Sequence, residues 1–434
     1  MSSMISRWIQ EHRGRMDPAL ISALMNRCGF LRHFPQALRA PAEKIIHKFM
    51  QIPVLVQWEP NRVQVFTDAN NPLSESGFSV DQYFSSIHTF SLPVSISRLP
   101  LLMKIPGVKK VYLDRTVYAL LDTATPTTGA PRVWDQNNLG ENATIAVIDT
   151  GITPHPDIAS RIIAFHDFVN HKTKPYDDNG HGTHCAGCAA GDGTLSAGRY
   201  RGVAPKALLI GVKVLGRFGE GSLSNVMAGI QWCIRHKEEY NIRVISLSLG
   251  SEANIPYKDD PLCQIVEQAW KSGIVVVAAA GNSGPKPGTI GSPGIHPLII
   301  TVGATDDHET TDRSDDKVAK FSSRGPTIDG ISKPDILAPG TNIVSLRSKC
   351  SFLDLSMPEK RIAKYYFSLS GTSMATPIVA GVVALMVSAN PSLSPDEIKQ
   401  RLLRAAVSLG EDKNSQGAGQ VDAEKAVMNQ HLSS

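Results

Sequence analysis

Several things are scarce or missing in this 434-residue chain, and each absence narrows what it can be. No apolar run approaches the ~18–20 residues that a membrane-spanning helix needs, so no membrane association is expected. The start, Met1 to Trp8, is soon interrupted by Glu11, Arg13 and Arg15 and has no apolar h-region of a secretory signal. A cytoplasmic protein is therefore expected, with non-standard release left open. Cysteine is sparse: residues 28, 185, 188, 233, 263 and 350 have no framework spacing, which predicts free thiols rather than a disulfide scaffold. Clustered Lys/Arg with interleaved aromatics is absent, so no nucleic-acid partner is assigned. Internal repeats and low-complexity tails are missing too, which excludes solenoids.

What is present describes two globular units, a fair expectation at this length. Residues 1–121 carry 14 Lys+Arg against 8 Asp+Glu, a net +6, and the remainder carries −2. That asymmetry is either ordinary solvated surface or a basic N-terminal piece complementary to the rest. Residues 1–50 read as helical, with Ile21, Leu24, Met25 and Cys28 at helical spacing. Ile52, Val54, Val56 and Trp58 alternate as a strand does, and Arg62–Phe66 is a candidate second strand. Asn70–Gly77 reads as a polar loop. His88–Ile96 reads as a strand, Leu99–Ile105 as a short helix stopped by Pro106–Gly107, and Val108–Asp114 as a last strand. Thr123–Gly129 is small, polar and proline-bearing, hence a linker. Beyond it, short apolar runs alternate with helical stretches: Ile145–Ile148, Leu208–Val214, Val244–Leu249, Ile274–Ala280 and Leu298–Val302. Near-continuous apolar strands separated by helices predict an α/β fold with a mostly parallel sheet covered on both faces.

Three segments carry chemistry. Ser370 to Pro377 is a small-residue turn entering an apolar helix (Ile378 to Val387), which puts Ser373 where unpaired N–H groups and the positive dipole end meet negative charge. Taken alone, it would be an N-cap serine. Ile145–Gly151 is an apolar strand ending in Asp149. Asp178–His184 places His181 at the opening of another helix. A serine needs a base to become nucleophilic, an imidazole titrates near neutrality, and a carboxylate can hold its tautomer. The spacing along the chain means that only folding unites the three.

The segments IAVIDTGI, HPD, NGHGTHCAG, RGVAP, VISLSLGS, VVVAAAGNSG, FSSRGP, KPDILAPG and SLSGTSMATPIVAG, in this order from Thr144 to Ala389, resemble the subtilisin-like serine proteases (subtilases). Ser373 stands in G-T-S-M-A, not the G-x-S-x-G of α/β-hydrolases. The resemblance implies a doubly wound, mostly parallel α/β sheet with helices on both faces. It implies a serine endopeptidase working through an acyl-enzyme, with Asp149, His181 and Ser373 as the triad and Asn282 in the oxyanion hole. Ser248, Leu249 and Gly250 would pair with the substrate backbone, and Arg217–Gly221, including Phe218 and Gly219, would offer the opposing edge. Ala279, Ala280 and Gly281 would line a roomy S1 pocket for large apolar side chains. The segment MKIPGVKKVYLDRTVYALLD resembles the end of subtilase pro-domains, which implies a pro-region over 1–121 with a helical start and a small α+β domain, a catalytic domain over 122–434, and self-cleavage after Leu121, with Leu120 and Tyr118 as neighbouring alternatives. In that register Leu121 falls in S1 and Tyr118 in S4, and the freed piece stays bound as an inhibitor.

The expected partners are protein and peptide substrates and the chain's own pro-region, with the protein a monomer. No cofactor is required. His181, His184, Cys185 and Cys188 lie on one helix face, whereas zinc ligands usually come from two elements, so no metal is assigned. A structural calcium ion is left open. Asp157 matches a ligating position of secreted subtilases, but Gly191–Tyr200 lacks the Asn-rich stretch that completes that site. Absence of a signal segment points to the cytoplasmic branch of bacterial subtilases. The alternatives are a catalytically silent peptide-binding pseudoprotease, which would lack a triad member or oxyanion donor, and a nucleic-acid-associated protein, separable by a salt-dependent gel shift.

Overall fold

The alternation that begins at Ile52 becomes strand β1 (Gln51–Trp58) of an antiparallel sheet, with β2 (Gln82–Phe84), β3 (Thr89–Ser95) and β4 (Val108–Leu113) in the order β2-β3-β1-β4. A computed structural model describes residues 8–16, 20–21, 24–25, 51–59, 71–84, 88–113 and 121–428. The chain divides into two units, Met1–Val117 and Tyr118–Ser434.

In the first unit one sheet face is buried. Ile52 lies opposite Val94, Val54 opposite Leu92 and Val56 opposite Phe90, and all six are buried while Pro53 is exposed. Leu73, Phe78 and Leu99 belong to the same core. Where a loop is expected over Asn70–Gly77, a short helix, Pro72–Glu75, forms instead. The Asn71 side chain caps it by accepting from Leu73 N (3.1 Å) and Ser74 N (2.9 Å), and Pro72 supplies the first-turn φ. The helix expected over Leu99–Ile105 is shorter, Leu99–Leu102. Gly107 has φ +107°, and a Cβ there would come within 2.4 Å of the Trp58 ring, which explains the glycine. Residues 20, 21, 24 and 25 are helical, but the face that is buried holds Leu20 and Leu24 while Met25 is exposed. Arg62–Phe66, Cys28 and most of residues 1–50 lie outside the described residues.

The second unit is built on β5 (Thr144–Asp149), β6 (Ile162–Asp167), β7 (Leu208–Lys213), β8 (Ile242–Leu247), β9 (Val275–Ala279), β10 (Ile300–Asp306), β11 (Lys317–Val318) and β12 (Ile336–Pro339). Their order is β11-β10-β9-β8-β5-β7-β6, with β12 beside β10. All pairs are parallel except β10 with β11. Every residue of β5 and β9 is buried, as expected of strands covered on both faces. β10 begins two residues later than the apolar run at Leu298. Lys399 Nζ takes the carbonyls of Pro297, Leu298 and Ile299 (2.8, 3.1 and 2.8 Å). The order reverses at β5, whose carboxyl end is where an open α/β sheet places its site.

The linker expected over Thr123–Gly129 is helix α1 (Leu121–Thr127), followed by α2 (Ala130–Trp134). Its small threonines pack rather than float. Thr125, Thr127 and Thr128 are buried, and their hydroxyls donate to the carbonyls of Arg201 (2.9 Å), Thr310 (3.3 Å) and Thr125 (2.7 Å). Two further helices carry the site, α3 (His181–Ala190) and α4 (Thr372–Ala389). By length and composition α4 is apolar enough to cross a membrane, contrary to the expectation that no such run exists. Yet it is buried from Thr372 to Val387 except at Ser373, which is the signature of a core helix. The described cysteines, 185, 188, 233, 263 and 350, are free thiols.

Candidate active site

Asp149 is the last residue of β5 and is fully buried. Its Oδ1 accepts from Thr150 N (2.7 Å) and lies 2.8 Å from His181 Nδ1. His181 is the first residue of α3, and α3 approaches the strand closely. A Cβ on Gly182 would sit 2.2 Å from Gly151 O. Asp177 anchors this junction, accepting from Thr150 Oγ1 (2.9 Å), Gly180 N (2.8 Å), Thr183 N (2.9 Å) and Thr183 Oγ1 (2.6 Å). Lys213, buried at the end of β7, ties the same loops by donating to Thr150 O (2.6 Å), Leu215 O (2.8 Å) and Asp178 Oδ1 (2.8 Å). Neither Asp177 nor Lys213 is singled out by sequence. A carboxylate shortly before a helix start is the signal that would have found Asp177.

Ser373 sits in the first turn of α4. Pro377 lacks the N–H that would bond Ser373 O, and that carbonyl instead accepts from Ser248 Oγ (2.8 Å) and Cys185 Sγ (3.4 Å). The proline in the helix thus frees the atom by which the residue after β8 and one residue of α3 hold the serine. Ser373 Oγ donates to Ser248 O (3.1 Å) and not to His181; without substrate, catalytic hydrogen bonds are often long or poorly aligned. Ser248 therefore secures Ser373 from both sides, a role beside the substrate pairing expected of it.

Asn282 follows β9. Its Oδ1 accepts from Thr372 N (2.9 Å) and Thr372 Oγ1 (3.0 Å). This fixes the amide so that Nδ2 is the group turned away, and a Cβ on Gly371 would lie 3.3 Å from it. Thr372, fully buried, is the orienting residue that sequence reading missed. The Ser373 N–H, in the first turn, has no intrahelical acceptor. Asn282 and Ser373, which carry these two donors, line one cavity.

A cavity of about 480 Å³ opens between Ala279, Ala280, Gly281, Leu249, Gly250 and Ser373. Glu252 and Asn254, both exposed, also line it, and neither is anticipated from sequence. A second cavity of about 610 Å³ lies on the His181 side, is lined by Ser248 as well, and shares Leu249, Gly250 and Ser251 with the first. Phe218 and Gly219 border it, Phe218 being 65% exposed. The expected opposing edge is a tight turn. Arg217 O accepts from Asn179 Nδ2 (2.8 Å), Gly219 N donates to Gly216 O (3.0 Å) and Glu220 O accepts from Gly216 N (2.8 Å). Those groups are spent within the protein.

Burial disfavours the imidazolium of His181, but the Asp149 carboxylate, with Cys185 behind it, outweighs this and raises His181 well above its ordinary value. Burial raises the Cys185 thiol. Burial, with the charge of His181, lowers His184 to about 3, and its Nε2 contacts Ile343 O and Phe367 O (both 3.0 Å). His184 is thus occupied away from His181, and Cys188 Sγ lies 3.6 Å from His184 Nδ1. Asp149, His181 and Cys185 bring one ligand atom each within 4.8 Å of one another, through the same contacts that make the acid–base pair. Asp157 is buried, and its oxygens accept from Leu195 N (3.1 Å) and Tyr366 OH (2.7 Å). The tail proposed to enter S1 and S4 lies outside the described residues up to Leu120, and Leu121 opens α1.

A sheet-end Asp–His pair with a serine at a helix N-terminus and amide donors beside it defines a class, the serine hydrolases. Comparison with known proteins sharpens this. The subtilase family model matches residues 140–420. Serine protease AprX of Bacillus subtilis (strain 168) is 52% identical over 357 residues, covering 80% of each chain. Subtilisin Savinase of Lederbergia lenta is 39% identical over 299 residues, covering 69% of this chain and 95% of its own. Among solved structures, Sphericase superposes with a TM-score of 0.55 at 33% identity, covering 65% of this chain and 92% of its own. The chain belongs to the subtilase family and is a serine protease of subtilisin-like fold.

Proposed function

We propose a serine endopeptidase with Asp149, His181, Ser373 and Asn282 in the catalytic roles. The observation that carries this is the 2.8 Å contact between Asp149 Oδ1 and His181 Nδ1, with Ser373 and the oriented Asn282 amide on the adjoining cavity wall. Held with Nδ1–H toward Asp149, the neutral imidazole presents Nε2 as base. It takes the Ser373 Oγ proton as Oγ attacks the scissile carbonyl. The oxyanion then receives the Asn282 Nδ2–H and the Ser373 N–H. The imidazolium returns its proton to the leaving amine, and a water repeats the sequence on the acyl-enzyme. No step needs a cofactor.

Small residues at 279–281 support a preference for large apolar side chains before the scissile bond, with broad specificity elsewhere because a peptide laid against Leu249–Gly250 would be held mostly through its main chain. On a peptide library, a clear preference for Lys or Arg there, taken up by Glu252, would refute the pocket reading. Residues 1–121 act in this reading as a pro-region that is cleaved after Leu121 and inhibits a monomeric, cytoplasmic enzyme.

The test compares wild type with Ser373→Ala. Wild type should hydrolyse casein, take up a serine-directed organophosphate at Ser373 and begin at Asp122. The variant should fold, do none of these and keep Met1. Activity in the variant, or labelling elsewhere, refutes the catalytic assignment and with it separates a protease from a silent peptide binder. A wild-type start well before residue 100 or beyond Trp134 refutes only the processing register.

A further inference from the structure

The segment from Arg347 to Arg361 has no role in the reading above, yet it borders the second cavity. Its short helix, Phe352–Ser356, is capped by Ser351 Oγ, which accepts from Asp354 N (3.3 Å). Asp354, buried beneath it, receives Arg347 Nε (2.6 Å), Arg347 Nη2 (3.1 Å), Arg361 Nε (2.7 Å) and Cys350 N (2.9 Å). Charge-assisted bonds from two guanidinium groups hold a loop far better than a lone surface pair does. The segment is also tied to the loop that carries His181: Phe352 N donates to Asp178 O (2.8 Å) and Leu353 N to Asn179 O (2.9 Å). A Cβ on Gly180 would stand 2.6 Å from Ser351 Oγ, so the two loops meet without a gap.

This attachment places half-buried Leu353 on the cavity wall with His181, Asn179, Leu215 and Phe218. Phe352 meets Phe218 edge to face, with centroids 5.2 Å apart at 85°, which supports the exposed Phe218 ring as a second wall. Successive side chains of an extended peptide point to opposite sides. If the residue before the scissile bond enters the cavity at Ala279–Gly281, its N-terminal neighbour points toward Leu215 and Leu353.

We propose that Leu353 is a specificity-determining residue, closing the subsite for the second residue before the scissile bond and selecting an aliphatic side chain there. The inference rests on the protease reading above. Its test measures kcat/KM for peptides alike except for Leu, Val, Gly or Asp at that position. Wild type should favour Leu and Val over Gly by about tenfold, the scale of a few methylenes in an apolar pocket. Leu353→Ala should erase that preference while hydrolysis of the Gly peptide and organophosphate labelling of Ser373 stay unchanged. Leu353→Met should keep the preference, and Leu353→Phe should shift it toward Gly, so the proposal is answered even if the alanine variant folds poorly. An unaltered profile in the folded variants, or an equal loss on every peptide, overturns it. Cleavage that persists in Ser373→Ala instead overturns the protease reading itself.

Discussion

The two sheets of this chain bury themselves in opposite ways. In the antiparallel sheet of β1 to β4, one face holds Ile52, Val54, Val56 and Phe90 and the other carries exposed or half-buried residues such as Pro53 and Leu55. In β5, consecutive residues from Thr144 to Asp149 are all buried, and so are those of β9. A one-faced sheet can spend alternate positions on solvent. A two-faced one cannot, so its only places for polar chemistry are the strand ends. Asp149 and Ser248 lie there, Asn282 follows a strand end by three residues, and the helix starts at His181 and Thr372 supply the rest. The difference explains why every group of the candidate site belongs to the second unit.

That contrast can be broken at the site first. Asp149→Asn should keep the fold but lower kcat by about 10⁴, the cost of the wrong imidazole tautomer in a serine protease triad. The same variant tests the pH dependence. Because Asp149 raises His181, the base form of His181 is present only above a pH higher than its ordinary 6.5. Activity should therefore fall as pH drops through that raised value, and the acid limb of kcat/KM should move downward in Asp149→Asn. An unmoved limb would mean that another group titrates.

The nucleophile's side should be less sensitive. Asn282→Ala should cost about 10²–10³ in kcat with little change in KM, a magnitude measured on subtilisin, a relative. Thr372→Val, which removes the hydroxyl that orients the Asn282 amide, should show the same kcat-against-KM split at smaller size. A KM effect alone would make both residues substrate contacts.

Stability should separate the sheets. Ile245→Ala in β8, buried on a two-faced strand, should cost about 2–5 kcal/mol. Leu55→Thr on the open face of β1 should cost about 1 kcal/mol or less. Equal losses in urea denaturation would show that β1 has no free face. The smallest expected effect is on the proposed inhibition by residues 1–121. Raising salt from about 0.1 M to about 1 M shortens the screening length from ~10 to ~3 Å, so inhibition of residues 122–434 should weaken a few-fold. An inhibition constant indifferent to salt would leave the +6 and −2 charges as solvated surface.

Much of the second unit is legible without a structure, because its determinants are local. An apolar run that ends in Asp149 at a glycine, a glycine-flanked His181 and a small-residue turn at Ser373 each state their element and its end. Thr123–Gly129 misleads for the same reason. Thr and Pro are loop formers by local preference, and only the carbonyls of Arg201 and Thr310, far along the chain, make packed helix α1 of them. Asn71–Pro72 shows a local cue overlooked, since an N-cap followed by a first-turn proline was in plain view.

By itself the sequence determined the central strands of the second unit, the family and the candidates for acid, base and nucleophile, since those follow from short-range patterns and motif order. Tertiary structure alone decided how they are held. Pro377 frees a carbonyl that Ser248 and Cys185 then grip, Thr372 turns the Asn282 amide, Lys213 joins two loops, and Leu353 reaches the cavity through Asp178 and Asn179. Each of these depends on a partner that folding brings from elsewhere in the chain, and neither spacing nor composition carries that distance.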